Sequence, residues 1–498
     1  MSQLPLFARA LSHATRVAFR TMSDQYSYDG LVKRSQSIAR GLLTSSQDLE
    51  ESRVAYLVPP GFEYATTQWG IWLAGGIAVP LSLSATEKEL EHTLVDSAAS
   101  VLVTTRDFAS RVDALCQRLH LRLMTLDDLH EPIAVTLPKV DLDRRAMILY
   151  TSGTTNKPKG VVTTHRCIQA QIESLVEAWQ WQTDDCIPLF LPLHHIHGII
   201  NIMSCALWSG AIVEPHPRFD LETVLRRVTE NAYSVFMAVP TIYVKLIAAL
   251  ESMPVEKRTP IVEGFAGMRL MVSGSAALPA SVHSKWTELT GQKLLERYGM
   301  TEIGMALSNP YHGERRPGTV GQPLPGVELR LRADQNGVPG EDQADEIQVR
   351  GPSVFKEYWG KPAVTREAFD EGWFRTGDIA VLEDGYYRIL GRSSVDIIKS
   401  GGYKLSALEI EATLLDHPAI RECAVVGLGD DTWGETVAAA LVWDTSVSFE
   451  LSTLKAWCQQ NISSYKIPRH WLNVASLPRN SMGKVTKPAV KALFTRDS

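Results

Sequence analysis

Thr151-Ser152-Gly153-Thr154-Thr155-Asn156-Lys157-Pro158-Lys159-Gly160 holds four hydroxyl side chains, two glycines and two lysines, with no large apolar group. Glycines let a backbone turn so that its N–H groups converge on one point. Hydroxyls add donors and lysines add positive charge. Converging donors and cations suit a polyphosphate. The order is not that of the P-loop, which needs G-x-x-x-x-G-K-[ST] running into a helix. An ordinary surface turn has a similar composition, so the order of the residues, not their types, carries the signal.

Other candidate residues follow downstream. In Glu296-Arg297-Tyr298-Gly299-Met300-Thr301-Glu302, a tyrosine offers a flat face to a purine and Glu302 a hard oxygen to Mg²⁺. In Trp373-Phe374-Arg375-Thr376-Gly377-Asp378, a carboxylate can accept from both hydroxyls of a ribose. Either stretch alone reads equally well as a turn with a buried tyrosine or a turn aspartate.

Taken in order, these stretches resemble the adenylate-forming superfamily of acyl-CoA synthetases, luciferases and peptide-synthetase adenylation domains. The resemblance covers essentially the whole chain. It implies ATP, Mg²⁺ and coenzyme A as the small molecules handled, and an acid–CoA ligase that releases AMP and pyrophosphate. Residue by residue, it implies that Thr151, Ser152, Gly153, Thr154, Thr155 and Lys159 hold phosphate. Gly274, Ser275 and Ala276 would line the adenine edge. Tyr298 would stack on adenine, with Gly299 beside it, Thr301 would serve phosphate, and Thr151 and Glu302 would serve Mg²⁺. Asp378 and Arg392 would hold ribose or phosphate. Lys484, in Ser481-Met482-Gly483-Lys484, would bridge the attacking carboxylate and the α-phosphate. Gly401, Gly402 and Lys404 would face the pantetheine arm of CoA after the small domain rotates. Many members carry Asp or Lys two residues after the arginine matching Arg392. Here Ser394 stands there and Asp396 two further on, so the hinge is expected within Ser394–Asp396.

Arg297 and His197 bear on the acid. By the family's layout Arg297 borders the acyl pocket, where members using plain fatty or aromatic acids usually carry no charge. A guanidinium there can grip a second carboxylate bidentately, and His197, in Leu193-His194-His195-Ile196-His197-Gly198, can donate to the same group. The bland alternative pairs Arg297 with Glu296 or a surface acid. Residues 194–198, 237–243 and 295–309 resemble malonyl-CoA synthetases, which implies malonate, with methylmalonate an option. Alternatives are another short or fatty acid, loading of a carrier protein, for which the chain has no carrier domain, and a non-catalytic binder on the same fold. His197 and Thr151 join Lys484 and Glu302 in the expected catalytic set.

The elements needed to hold these residues are visible as patterns. Residues 54–58, 77–81, 101–105, 146–150, 235–239 and 270–274 are short apolar runs alternating with helical stretches. That pattern predicts an α/β architecture with largely parallel sheets. Gly160-Val161-Val162-Thr163 reads as a strand, so the phosphate loop should join two strands. Short strands dominate 316–392, a β-rich subdomain. The expected division is 1–392 for a large AMP-binding domain and 393–498 for a small, mobile α+β domain.

Composition bounds the rest. The chain has 498 residues, enough for two to four domains, and a net charge of −6. Neither its pI near 6.1 nor its charge pattern indicates a nucleic-acid partner. Its six cysteines are scattered with no C-x-x-C pair, which argues against a zinc site or disulfide framework. No apolar stretch approaches the length of a membrane span. Residues 1–22 carry Arg9, Arg16 and Arg20 and no acid, the composition of a mitochondrial presequence. Yet Tyr26–Leu31 already resembles the family's first strand and turn, and Lys33–Leu43 its first helix. A mature N-terminus and a cytoplasmic location are expected, with the mitochondrial matrix as the alternative. Oligomeric state leaves no mark on the sequence.

Overall fold

The computed structural model describes residues 4–43, 46–129, 135–151, 158–332, 344–400, 403–430, 432–444, 450–479 and 485–494, with backbone alone for 403–404. Five sheets organise the chain. The largest has seven strands in the order 357–358, 159–164, 145–151, 77–80, 53–57, 101–104 and 122–125. Its middle is parallel, and one end is closed by the antiparallel pair Arg145–Thr151 and Lys159–Thr164. The strands at 53–57, 77–80 and 145–151 are apolar on both faces because helices cover both sides, as parallel sheets require.

A second sheet runs 235–238, 270–273, 295–300, 304–308 and 322–323, parallel first and antiparallel after. A third pairs 25–27, 17–20, 212–215 and 186–189. One continuous core drawn from all three sheets contains the fully buried Trp69, Trp72, Trp179 and Trp286. Helix Phe62–Leu73 is buried along nearly its whole length within that core, so it carries almost no polar face. The chain's other helices show ordinary start signals. Ser27 accepts from Gly30 N–H to open Tyr28–Leu42, and Thr86 with Glu89 forms a capping box for Glu87–Asp96. The stretch expected as strand and turn at 26–31 is thus strand only to Ser27. The serine cap wins over the apolar run and turns Tyr28 onward into helix.

The fourth sheet, 328–332, 345–350, 373–383, 369–370 and 386–392, is antiparallel and has its own core around Phe355, Phe374 and Ile347. Strand Tyr386–Arg392 pairs with Trp373–Glu383, whereas Ile397–Ser400 belongs to the fifth sheet, with 403–406, 434–443, 420–430 and 470–473. Four residues, 393–396, link the two.

The basic residues near the start are built into this fold. Helix Pro5–Ser12 buries Leu6, Phe7 and Ala10, and the Arg9 guanidinium lies 5.5 Å from the centre of the Trp208 ring. Arg16 Nε donates to the Gly210 carbonyl at 3.1 Å, and Arg20 pairs with Glu214 at 3.1 Å. Among the described residues, no helix is long and apolar enough to cross a membrane. All six cysteines are free thiols.

Candidate active site

The phosphate-loop residues Ser152, Gly153, Thr154 and Thr155 lie outside the described residues, as do Gly401, Gly402, Lys484 and the Lys404 side chain. The supports of that loop are described. Thr151 and Lys159 sit opposite each other at the mouth of the hairpin. Tyr150 Oη donates to Asp96 at 2.9 Å, and Lys361 holds the same carboxylate at 3.3 Å. His92 Nε2 lies 3.3 Å from the Pro158 carbonyl. Both ends of the loop are therefore pinned to helix Glu87–Asp96.

Strand Leu295–Met300 is the axis of the site. Successive side chains on a strand point to opposite faces, so Arg297 and Tyr298 serve different places. The strand's hairpin with Gly304–Ser308 shifts register between Tyr298 and Gly299, a bulge of the kind that re-aims side chains beside active sites. On one face the Tyr298 hydroxyl donates to Asp378 Oδ2 at 2.5 Å, and Arg392 Nε donates to Asp378 Oδ1 at 3.1 Å. Burial raises the Asp378 carboxyl above its usual range, and the Arg392 charge opposes that shift. The structure thus brings together Tyr298, Asp378 and Arg392 from three separate strands.

Glu302 closes the hairpin turn after Thr301 and is buried. Its Oε1 accepts from the Tyr358 hydroxyl at 3.0 Å, and Lys159 Nζ lies 5.2 Å from the centre of the Tyr358 ring. Burial raises the Glu302 carboxyl, opposed by the Tyr358 hydrogen bond and by the charges of Arg392 and Lys159. No ion pair of Glu302 is formed among the described residues. Nor is there a group of three or more His, Cys, Asp or Glu able to hold a metal there. One buried carboxylate suits Mg²⁺, which keeps waters and phosphate oxygens as its remaining ligands. Tyr358 was not picked out from the sequence. It stands 56 positions from Glu302, with no motif around it.

The other face of the strand holds a buried cation. Arg297 is 4% exposed, and its Nε and Nη2 have no hydrogen-bond partner among the described residues. The guanidinium lies flat on Gly274, where an added Cβ would stand 2.4 Å from its central carbon. His197 is equally buried. Its Nδ1 lies 3.1 Å from the Ser275 hydroxyl, and its Nε2 has no partner among the described residues. Burial holds the His197 imidazole well below its usual pKa, helped by the Arg297 charge, so the ring is neutral at physiological pH. In the tautomer in which the Ser275 hydroxyl donates to Nδ1, Nε2 carries the ring proton and is a donor. Ser275 has a φ of 69°, a conformation uncommon outside glycine and concentrated at functional sites.

Glu296 does not neutralise Arg297. Its Oε1 accepts from the Leu278 N–H at 3.0 Å, while Oε2 has no partner among the described residues. Burial pushes its carboxyl up to about 8, against the pull of Arg297. Burial also lowers Arg297, to about 10. Burial thus disfavours the charged form of each, and no ion pair joins the two among the described residues. A buried charge without a counter-charge is costly, so this pocket is poised for an incoming anion. The alternative of a surface ion pair for Arg297 is excluded by its burial.

Comparison with known proteins agrees with this geometry. Residues 6–359 match the AMP-binding enzyme family, and 409–484 match the AMP-binding enzyme C-terminal domain. A mitochondrial malonate–CoA ligase of Xenopus laevis is 42% identical, covering 99% of this chain and 92% of its own length. ATP-bound MatB of Rhodopseudomonas palustris superimposes with a TM-score of 0.89 at 31% identity, over 99% of both chains. A malonyl-CoA ligase solved with methylmalonyl-CoA and AMP bound is 37% identical, with a TM-score of 0.69 over 96% of this chain and 100% of its own. The chain is a member of the AMP-binding, adenylate-forming enzymes.

Proposed function

We propose that this enzyme is a malonate–CoA ligase. It transfers AMP from ATP to malonate, releasing pyrophosphate, and then passes the malonyl group to CoA, releasing AMP. The observation that carries the choice of acid is Arg297, a buried cation whose Nε and Nη2 have no partner among the described residues, accompanied by His197 Nε2, which has none among them either. A carboxylate accepts from both.

In this reading Arg297 and His197 hold the distal carboxylate of malonate, which leaves the other carboxylate free to attack the α-phosphorus. That attack forms the P–O bond of malonyl-AMP as the bond to pyrophosphate breaks. Tyr298 offers its ring to the adenine. Asp378, held by Tyr298 and Arg392, accepts from the ribose hydroxyls. Thr151 and Glu302 would hold Mg²⁺, whose contribution is to offset the charge on the phosphates. Lys159 and the loop 152–155 would bind those phosphates, Thr301 would assist, and Gly274, Ser275 and Ala276 would line the adenine edge, with Gly299 next to the ring. Lys484 adds a cation where charge grows in the transition state.

For the second step, the CoA thiol attacks the acyl carbon and AMP leaves. We assign the pantetheine contact to Gly401, Gly402 and Lys404, brought up by rotation of residues 393–498 against 1–392. The cytoplasm is its proposed location. The mitochondrial matrix is the alternative, since the Xenopus relative is named as mitochondrial.

The test is pyrophosphate release with malonate and with butyrate, in wild type and Arg297→Ala. Leaving a buried charged donor unpaired costs about 1–3 kcal/mol, and polar sites reject analogues lacking the polar group strongly. Wild type should prefer malonate, and the variant should lose that preference. An unchanged malonate-to-butyrate ratio removes Arg297 as the selector.

A further inference from the structure

The segment 393–396 that joins the fourth and fifth sheets ends on a carboxylate with two duties. Asp396 is 9% exposed. Its Oδ2 accepts from the Arg392 N–H at 3.0 Å, back across the link, and its own N–H donates to the Arg392 carbonyl at 2.8 Å. Its Oδ1 faces Lys487 Nζ at 3.6 Å. Lys487 opens the last helix, Lys487–Phe494. The same ammonium donates to Glu411 Oε1, on helix Ala407–Leu415, and to the Val425 carbonyl at 2.7 Å, on strand Ile420–Asp430. Glu411 Oε1 in turn accepts from the Val425 N–H at 2.6 Å.

One half-buried lysine therefore joins three elements of the C-terminal unit to the residue that ends the interdomain link. Immediately before it, Thr486 N–H donates to the Pro478 carbonyl at 2.9 Å, Val485 bridges Arg479, and Arg479 pairs with Glu422 at 2.6 Å. The chain on either side of 480–484 is fixed to the same support. On the far side of Arg392 the line continues to Asp378 and Tyr298.

We propose that Lys487 is a positioning residue for the adenylation half-reaction, its ammonium locking the base of the Lys484 segment to Asp396 of the interdomain link. The proposal rests on the reading of Lys484 as the adenylation lysine. Glu411 and the Val425 carbonyl would suffice for an internal staple of the small domain. The further approach to Asp396 is what makes the lysine a connection between the link and the final helix.

The experiment separates the two half-reactions in the full-length enzyme. Malonate-dependent ATP–pyrophosphate exchange reads adenylation, and conversion of synthetic malonyl-AMP with CoA reads thioester formation. In Lys487→Met, kcat for exchange should fall about tenfold or more, with KM for ATP and malonate within about twofold, the pattern of a lost transition-state arrangement. Thioester formation from malonyl-AMP should stay within about twofold of wild type, and Lys487→Arg should recover most of the exchange. Asp396→Asn should likewise lower exchange, and the double variant Lys487→Met/Asp396→Asn should exchange no more slowly than Lys487→Met, because residues acting as one unit are not additive. An equal loss in both half-reactions, or unchanged exchange, overturns the proposal. If Lys487→Met does not fold, Asp396→Asn decides alone, and unchanged exchange in it overturns the proposal. Lys484→Ala is measured alongside. Normal exchange in Lys484→Ala refutes the underlying reading of that lysine, whereas its loss with normal exchange in Lys487→Met refutes only the role of Lys487.

Discussion

Gly274 is the floor on which Arg297 rests. A Cβ at position 274 would come within 2.4 Å of the guanidinium carbon and 2.6 Å of Nε and Nη1. The backbone there does not need glycine for its conformation, since φ is not positive. Gly274→Ala therefore acts through space alone, and the flexible end of Arg297 is what must move. Overpacking of this kind costs about 1–3 kcal/mol. The expected outcome is a rise of tenfold or so in KM for malonate, with a much smaller change for ATP. Steady-state kinetics in both substrates check it, and an unchanged malonate KM contradicts the packing argument.

Glu296 makes a pH prediction with a definite sign. In the folded enzyme its carboxyl is raised from 4.5 to about 8, so it holds its proton where the unfolded chain has released it. The unfolded state binds fewer protons across that window, and stability falls as pH rises from 4.5 towards 8. Glu296→Gln removes the effect. Its melting temperature relative to wild type should be higher at pH 8 than at pH 5. A constant difference between the two pH values contradicts the assignment.

The same residue should set the alkaline limit for malonate. Above about pH 8 an ionised Glu296 gives Arg297 an internal counter-charge and weakens the pull on a substrate anion. In wild type KM for malonate should climb there. In Glu296→Gln that rise just above pH 8 should be absent. KM for malonate measured from neutral to alkaline pH in both proteins decides.

Tyr358 anchors the carboxylate proposed for Mg²⁺. Tyr358→Phe leaves the ring over which Lys159 sits and removes one hydrogen bond to Glu302. A bond to a charged group is worth about 1.5–3 kcal/mol, so the Mg²⁺ concentration for half-maximal adenylation should rise about tenfold or more. Glu302→Gln should raise it further. A Mg²⁺ titration of pyrophosphate release tests both, and an unchanged requirement in Glu302→Gln removes that residue from the metal's ligands.

Tyr298 separates ring from hydroxyl. Tyr298→Phe loses the donor to Asp378 but keeps the face, and Arg392 still holds the carboxylate. Tyr298→Ala loses the stacking as well, worth about 1–3 kcal/mol. KM for ATP should rise little in the first and strongly in the second. Equal effects would mean that the hydroxyl, not the ring, matters.

Much of this site was legible in the sequence because it lies at the ends of short apolar strands. The runs at 146–150, 160–163 and 270–274 fall on strands, and the Tyr298 and Asp378 motifs meet where their order implied. What stayed hidden are partners set by tertiary proximity. Tyr358 reaches Glu302, Ser275 reaches His197, and Asp96 steadies Tyr150, each across long stretches of chain with no local pattern. The segment 296–302 reads in isolation as a turn, yet Leu295–Met300 is a strand, because pairing with 270–273 and 304–308 overrides the local glycine. Solvation also escapes the sequence. Glu296 and Arg297 are neighbouring residues of opposite charge type, and only their shared burial reveals that the charged form of each is disfavoured.

His197 begins a π-helical stretch, His197–Ser204, that runs into α-helix Cys205–Ser209. A π-helical turn accommodates more residues than an α-helical one, and such insertions recur at functional sites. Removing a single residue after His197 would let the segment close into α register and rotate the imidazole by about 100°, one residue's share of a 3.6-residue turn. The acid preference of this scaffold is therefore open to change by a one-residue deletion as well as by substitution at Arg297, an evolutionary route that leaves the nucleotide side of strand Leu295–Met300 untouched.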